Sequence, residues 1–241
     1  MTKHRRKPLL EAQWRHLAIL NYRIDRGILE PFVPAGTELD PWNGEVLVSV
    51  VGFLFEDTRV LGIPFPFHRS FEEVNLRFYV RRRVDGEWRR AVTFIKEFVP
   101  RRVIAVGARA LYNEAYSRVP MGHSLKNSGR SVAYRWGRRD RESSLEVLAG
   151  SGPAPIPPGS ETEFICEHYW GYAVQRDGGT MEYEVEHPPW LAAPAVEARL
   201  SCDVAAVYGT TFVDSLSAEP TSAFLADGSA VKVFRGARIR A

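Results

Sequence analysis

The clearest two-residue alternation in the chain runs from Phe71 to Arg82, so this stretch is expected to be a strand. One of its faces carries Glu72, Val74, Leu76, Phe78 and Val80; the other carries Glu73, Asn75, Arg77 and Tyr79. Val84-Asp85-Gly86-Glu87 supplies a turn with glycine at its tip, and Trp88 to Phe98 returns as the partner strand. Trp14 to Tyr22 alternates weakly and reads as a first strand, whereas Glu45 to Phe55 is apolar on both faces and suits a buried central strand. Further strands are expected at Arg102–Tyr112, Met181–Glu186 and Val196–Leu200. Hairpins are expected over Ser131–Trp136 with Ser144–Leu148, and over Phe224–Ile239 turning at Asp227-Gly228.

Helical signals are few and short. Asp25 is placed to cap a helix that runs through Glu30 and is stopped by Pro31. Ser160-Glu161-Thr162-Glu163 is a capping box, in which Ser160 accepts from the Glu163 N–H and Glu163 reaches back to that of Ser160; it predicts a helix over Glu161–Tyr169. One or two more short helices fit between Asp203 and Leu216. Leu61 to Phe67 contains two prolines and reads as an apolar loop that must cover the core or a pocket mouth. Gly150 to Gly159, with four prolines, reads as a linker or polyproline segment. The resulting class is mostly β, a β-rich α+β fold with a few short helices. Its 241 residues suit one domain spanning positions 1–241.

Composition narrows the function classes. Cys166 and Cys202 match no zinc spacing and read as free thiols of a reducing compartment. The basic N-terminus lacks the apolar stretch of an export signal, and no apolar run approaches the ~20 residues of a membrane span. A cytoplasmic protein without membrane, metal or cofactor is therefore expected. Its partner is a small-molecule ligand or substrate, and self-assembly into a homo-oligomer is left open. The runs Arg81-Arg82-Arg83 and Arg89-Arg90 flank one hairpin tip, but interleaved acids and the lack of a nucleic-acid motif favour a solvated hairpin over nucleic-acid binding.

Candidate chemistry lies mainly on the Phe71–Val80 strand. A carboxylate, an amide, a guanidinium and a phenol on one face can be the solvated side of a half-buried sheet, with Glu73 and Arg77 a surface pair worth at most about 1 kcal/mol. They can equally be the inner wall of a barrel. Lys96 would share a face with Phe94 and Phe98; if desolvated there it becomes a better nucleophile, and otherwise it snorkels to water. His168, beside Tyr169 and Trp170 on the expected helix, is either a site residue or a satisfied core histidine.

The string Phe71-Glu72-Glu73-Val74-Asn75-Leu76-Arg77-Phe78-Tyr79-Val80 resembles the signature strand of the uncharacterised bacterial YqjF-like proteins, the DUF2071 family. Trp14, Pro34-Ala35-Gly36-Thr37, Val51-Gly52-Phe53, Gly62-Ile63-Pro64, Glu167-His168-Tyr169-Trp170 and Glu186-His187-Pro188 fit the same pattern in order. The resemblance implies the fold of acetoacetate decarboxylase, a conical β-barrel around an interior pocket. It raises the weight on a lumen lined by Glu73, Asn75 and Arg77. It does not carry over the decarboxylase reaction, which uses a lysine pair. The segment Tyr112-Asn113-Glu114-Ala115-Tyr116-Ser117 resembles that region but places Tyr116 and Ser117 where the lysines would stand.

Two functions follow. As an enzyme on a small carboxylated or carbonyl compound, the chain would use Arg77 to clamp a carboxylate and Glu73 as general acid or base, with Tyr116 or His168 assisting and Lys96 as a remaining amine. As a non-catalytic binding barrel, Arg77 and Asn75 would fix a ligand head, with Trp170 and Phe65 on its tail and Tyr79 in the wall.

Overall fold

The structure is a computed structural model that describes residues 6–64, 69–100 and 116–239. Its strands are β1 (Leu10–Arg23), β2 (Glu38–Leu39), β3 (Leu47–Val60), β4 (Ile63–Pro64), β5 (Phe71–Val84), β6 (Glu87–Val99), β7 (Tyr116–Arg118), β8 (Met121–Lys126), β9 (Ser131–Trp136), β10 (Ser143–Ala149), β11 (Ala154–Pro155), β12 (Trp170–Val174), β13 (Thr180–Glu186), β14 (Leu191–Ser201), β15 (Ser222–Val233) and β16 (Ala237–Ile239). The helices are single turns or little more: α1 (Arg26–Leu29), α2 (Glu161–Cys166), α3 (Val204–Val207) and α4 (Val213–Leu216). No helix among the described residues is long and apolar enough to cross a membrane.

Seven strands close on themselves. The ladder runs β13–β12–β6–β5–β3–β1–β15, and β15 pairs back to β13 through Val185↔Val233 and Glu186↔Lys232. All neighbours in this ring are antiparallel except β12 and β6. A closed ring leaves no edge among its members and separates every strand's side chains into inside and outside. Beyond β15 the ladder continues through β14, β10 and β9 to β8. This second sheet covers the outer face of β3 and β5, where Val50, Val74, Leu76 and Phe78 share a core with Tyr134, Leu145 and Val147. The two faces of β5 therefore meet different surroundings, an apolar core outside and the lumen inside.

Local chemistry explains most elements. Asp85 (φ 50) and Gly86 (φ 88) form the two left-handed positions of the tight β5–β6 turn. Asp25 caps α1 by accepting from Gly27 N at 2.7 Å. Ser160 caps α2 by accepting from Glu163 N at 3.2 Å. The reciprocal bond of the box differs from expectation, since Glu163 accepts from Gly159 N at 2.6 Å and not from Ser160. Helix α2 also stops at Cys166, three residues short of the expected end. His168 consequently lies in an irregular link to β12 and not on a helix.

The Asp227-Gly228 turn expected near the C-terminus is absent, and β15 runs straight through both residues. They form an irregularity opposite β1, where pairing passes from Arg15↔Gly228 to Leu17↔Ala226. Gly228 (φ 75) faces the main chain of Trp14 so closely that an added Cβ would stand 2.1 Å from its carbonyl oxygen. Turn residues here serve a strand distortion. Asp227 instead accepts from Leu191 N at 2.9 Å, tying β15 to β14. The expected strand at 102–112 lies outside the described residues. Of the apolar loop at 61–67, Ile63 and Pro64 fold back on Val60 and Arg59 with Leu61 and Ile63 exposed, and Phe65 to Phe67 lie outside the described residues.

Gly52 is a point of close approach between the barrel and the second sheet. A Cβ there would lie 2.5 Å from Cδ2 of Tyr134 and 3.0 Å from Leu145. Tyr134 is fully buried and its hydroxyl donates to the His16 carbonyl at 2.8 Å, so the ring has no room to yield. Gly52→Ala is expected to lower unfolding free energy by about 1–3 kcal/mol through overpacking. Urea titration measures this, and an unchanged midpoint would mean that the two layers are not rigidly packed there.

Candidate functional site

The strand alternation that buries Val74, Leu76 and Phe78 outside the ring sends Phe71, Glu73, Asn75, Arg77 and Tyr79 inward. The ring encloses a cavity of about 250 Å³ whose wall includes Glu73, Asn75 and Arg77. These three are buried, with Glu73 3% and Arg77 8% exposed. Of the two origins open for this polar face, a solvated side does not apply. The surface pair between Glu73 and Arg77 is absent too, and no ion pair of Arg77 with a carboxylate is found among the described residues.

Glu73 is held on both oxygens. Asn75 Nδ2 donates to Oε1 at 3.0 Å, and the Tyr116 hydroxyl donates to Oε2 at 3.3 Å. Tyr116 reaches this position because β7 runs parallel to the end of β6, with Tyr116 beside Glu97. Glu97 is a second lumen carboxylate, 1% exposed and directly across from Asn75 on the neighbouring strand. Two carboxylates thus flank one amide.

A register shift in β6 decides which side chains enter. Pairing passes from Leu76↔Lys96 to Arg77↔Phe94, so Ile95 is an extra residue and the strand bulges. Phe94 and Glu97 then face the lumen, whereas Lys96 faces outward with Phe98, its Nζ 5.8 Å from the Phe98 ring centroid. The expectation that Phe94, Lys96 and Phe98 share one face is corrected by this bulge. Lys96 does not line the cavity.

Arg77 points away from Glu73. Its Nη2 donates to the Ile165 carbonyl at 3.1 Å at the end of α2, and its guanidinium carbon lies 5.8 Å from the Tyr79 ring centroid. Its Nε has no hydrogen-bond partner among the described residues. Beside it, Cys166 and His168 complete the wall. Burial pushes the Cys166 thiol up to about 12, with Arg77 pulling the other way, so the sulfur carries its proton at neutral pH. Burial, reinforced by Arg90 and Arg77, holds His168 well below the ordinary histidine value, and its imidazole is neutral; the Ile165 carbonyl, already taken by Arg77, pulls weakly the other way. The ring lies against Tyr79 and edge-on to Phe164, at centroid distances of 4.9 and 5.6 Å.

Tyr79 stands behind this group and does not itself line the cavity. Burial raises the pKa of its hydroxyl. It contacts Ser49 Oγ at 2.5 Å; Ser49 donates to Asn21 Oδ1 at 2.6 Å, Asn21 Nδ2 donates to Ser222 Oγ at 2.9 Å, and Ser222 donates to Glu161. Since the Ser49 proton is used on Asn21, Tyr79 is the donor in the first contact. The chain of bonds ties α2 to β5, β3, β1 and β15 and so positions the Ile165 carbonyl, Cys166 and His168.

The opposite end of the lumen is aromatic and aliphatic. Trp14 packs edge-on to Phe53, Phe55 and Trp190, and Phe55 stacks on Phe71 at 4.6 Å. His187 stacks on Trp190 at 4.5 Å. Trp170 lines the cavity with the Arg89 guanidinium 4.2 Å above its ring. Phe65 lies outside the described residues. Sequence reasoning missed Glu97, Cys166, His187 and Trp190. Glu97 had one available signal, a lone carboxylate in the otherwise apolar run Phe94 to Val99 interrupted only by Lys96.

Comparison with known proteins gives a consistent relationship. The chain is 28% identical over 213 residues to the uncharacterized protein YqjF of Bacillus subtilis (strain 168), covering 86% of this chain and 84% of that one. Acetoacetate decarboxylase from Legionella pneumophila subsp. pneumophila str. Philadelphia 1 superposes with a TM-score of 0.69 at 12% identity, over 100% of this chain and 92% of that one. The enduracididine biosynthesis enzyme MppR, complexed with the condensation product of pyruvate and imidazole 4-carboxaldehyde, superposes with a TM-score of 0.67 at 11% identity, over 96% and 89% of the two chains. Those two likenesses establish a common fold. Residues 11–230 match the DUF2071 model, described as an uncharacterized conserved protein, and the chain belongs to that family, built on the acetoacetate decarboxylase fold.

Proposed function

We propose that the lumen receives a carboxylated carbonyl compound and moves a proton on the carbon beside its carbonyl. Arg77 binds the carboxylate and Glu73 exchanges the proton. The observation that carries this reading is the buried guanidinium of Arg77, which has no carboxylate partner among the described residues and an Nε without an acceptor. A buried cation is costly unless it is paired, and a planar carboxylate matches the guanidinium fork. The neutral imidazole of His168 stands beside it as a second donor for the same head. The solved relatives named for acetoacetate and for a pyruvate condensation product lend weight to an oxo acid as the class.

Among the described residues no lysine lines the lumen, so the reaction is drawn without an amine. Lys7, Lys96, Lys126 and Lys232 do not line the cavity, and Lys3 is the only other lysine in the chain. Acid–base chemistry at Glu73 needs none. The C–H electron pair moves toward the carbonyl oxygen as the proton passes to the carboxylate, and a proton then returns to the same carbon as the carbonyl re-forms. Asn75 and Tyr116 hold Glu73 in one orientation for both transfers.

A second reading, a non-catalytic binding barrel, is favoured by the predominance of Trp, Phe, Leu and Val in the rest of the wall. Proton exchange separates the two. Incubated in deuterated water with 2-oxo, 3-oxo and mid-chain oxo acids, the wild type is expected to exchange hydrogen beside the carbonyl of at least one of them. Glu73→Gln is expected to lose about 10²–10⁴-fold of that rate. No exchange with any compound that binds would assign the lumen to binding alone.

The unpaired guanidinium yields a stability test. Replacing Arg77 with methionine is expected to leave the ligand-free protein at least as stable as wild type, since an uncompensated buried charge is removed. Calorimetry should show its carboxylate affinity reduced at least about tenfold. A strongly destabilised variant would mean that Arg77 has a structural partner, and the head-group role would fall.

His168 gives a pH dependence with a definite sign. The unfolded chain binds a proton on this ring near the ordinary value of 6.5, and the folded chain does so only at lower pH. Folding stability is therefore fully present above about pH 6.5 and declines as pH falls below it. His168→Gln should flatten most of that decline in thermal melts; an unchanged slope would assign it to another group, such as the half-buried His16, also lowered by burial.

A further inference from the structure

Along β5 the lumen is long. Phe71, Glu73, Asn75 and Arg77 all line it, and the facing strand continues the wall through Val51, Phe53 and Phe55 to Thr58 and Val60. With a rise of about 3.3 Å per residue, the Cα atoms of Glu73 and Arg77 are roughly 13 Å apart and those of Phe71 and Arg77 roughly 20 Å. The Arg77 side chain widens the gap by turning toward Tyr79 and Ile165. A three- or four-carbon oxo acid cannot touch Arg77 and Glu73 together.

The wall chemistry changes in order along this axis. The Arg77 end carries His168 and Cys166, the middle carries Asn75, Glu73, Glu97 and Tyr116, and the far end carries Trp14, Phe55 and Phe71. At the far end the aromatic rings are already packed on one another, edge-on at 5.4 and 5.9 Å and stacked at 4.6 Å. Their faces are spent on each other, which leaves edges suited to methylene groups. Leu9, Leu10, Val60 and Val233 extend this end with aliphatic surface.

We infer that the site takes a linear aliphatic carboxylate of about fourteen carbons, which advances ~1.25 Å per bond when extended and so spans ~16 Å between side chains at the two ends, carrying its carbonyl near mid-chain. Its carboxylate lies at Arg77, its carbonyl carbon beside Glu73 several bonds away, and its methyl end among Phe55, Phe71 and Trp14. This rests on the proposed head-group role of Arg77 and adds the length and polarity of the remainder.

The test is calorimetric titration of the wild-type protein with straight-chain saturated carboxylates of about four to eighteen carbons and with their methyl esters. The dissociation constant is expected to fall about fourfold per added methylene and then level off once the lumen is full. Esters should bind more weakly than acids at every length. Arg77→Gln should erase the difference between acid and ester while keeping the dependence on length. Leu10→Trp, which narrows the aliphatic end, should move the plateau to shorter chains. Affinity independent of length, with acids still preferred to esters, would overturn the elongated ligand and leave the head-group reading intact. A length dependence with acids and esters equal would overturn the placement of the carboxylate at Arg77, and with it both readings.

Discussion

Closure of the ladder between β13 and β15 is the constraint on which the remaining structure depends. Once the ring closes, each strand must satisfy two unlike surroundings with alternate residues. Outside, β5 spends Val74, Leu76 and Phe78 on a packed core completed by the second sheet. Inside, the same strand brings a carboxylate, an amide and a guanidinium out of water. Buried polar groups are tolerated where they are bonded, and Glu73 meets that condition through Asn75 and Tyr116. Arg77 meets it only in part, through one carbonyl and an aromatic ring. Two polar groups on one strand are thus unevenly satisfied.

Helix α2 shows how little regular structure is needed to complete such a site. Six residues long, it would be marginal alone. Its position is imposed by the bonds that run from Tyr79 through Ser49, Asn21 and Ser222 to Glu161. Because those donors and acceptors sit on four barrel strands, the helix end is registered against the sheet. The main chain then leaves the helix early, and that departure carries His168 into the wall.

Much of this was legible in advance. The split of β5 into an apolar and a polar face followed from period-two alternation, and the tight turn at Asp85-Gly86 from residues that tolerate positive φ. The caps of α1 and α2 were likewise local, so their signals lay within four residues. What escaped was non-local. Asp227 and Gly228 carry the chemistry of a turn, and only pairing with β1 shows that it serves a strand irregularity. The length of α2 was overestimated because its cap signals a start and nothing at Glu167 signals a stop. Unbroken alternation puts Lys96 on one face with Phe94 and Phe98, which the extra residue Ile95 defeats. Trp190 and His187 came into view only through ring closure, since nothing adjacent to them in sequence marks the lumen.

The bulge at Ile95 acts as a phase setting for the strand. Residues on its C-terminal side alternate in antiphase to those before it, so Glu97 is inside and Lys96 outside. Were the irregularity to slide along the strand beyond position 97, Lys96 would turn into the lumen and Glu97 into the outer core, without a single substitution. The same thirteen residues of β6 can thus furnish either a carboxylate or an amine to one barrel. A barrel of this kind can change the type of reactive group it offers through strand register before any codon for that group has changed.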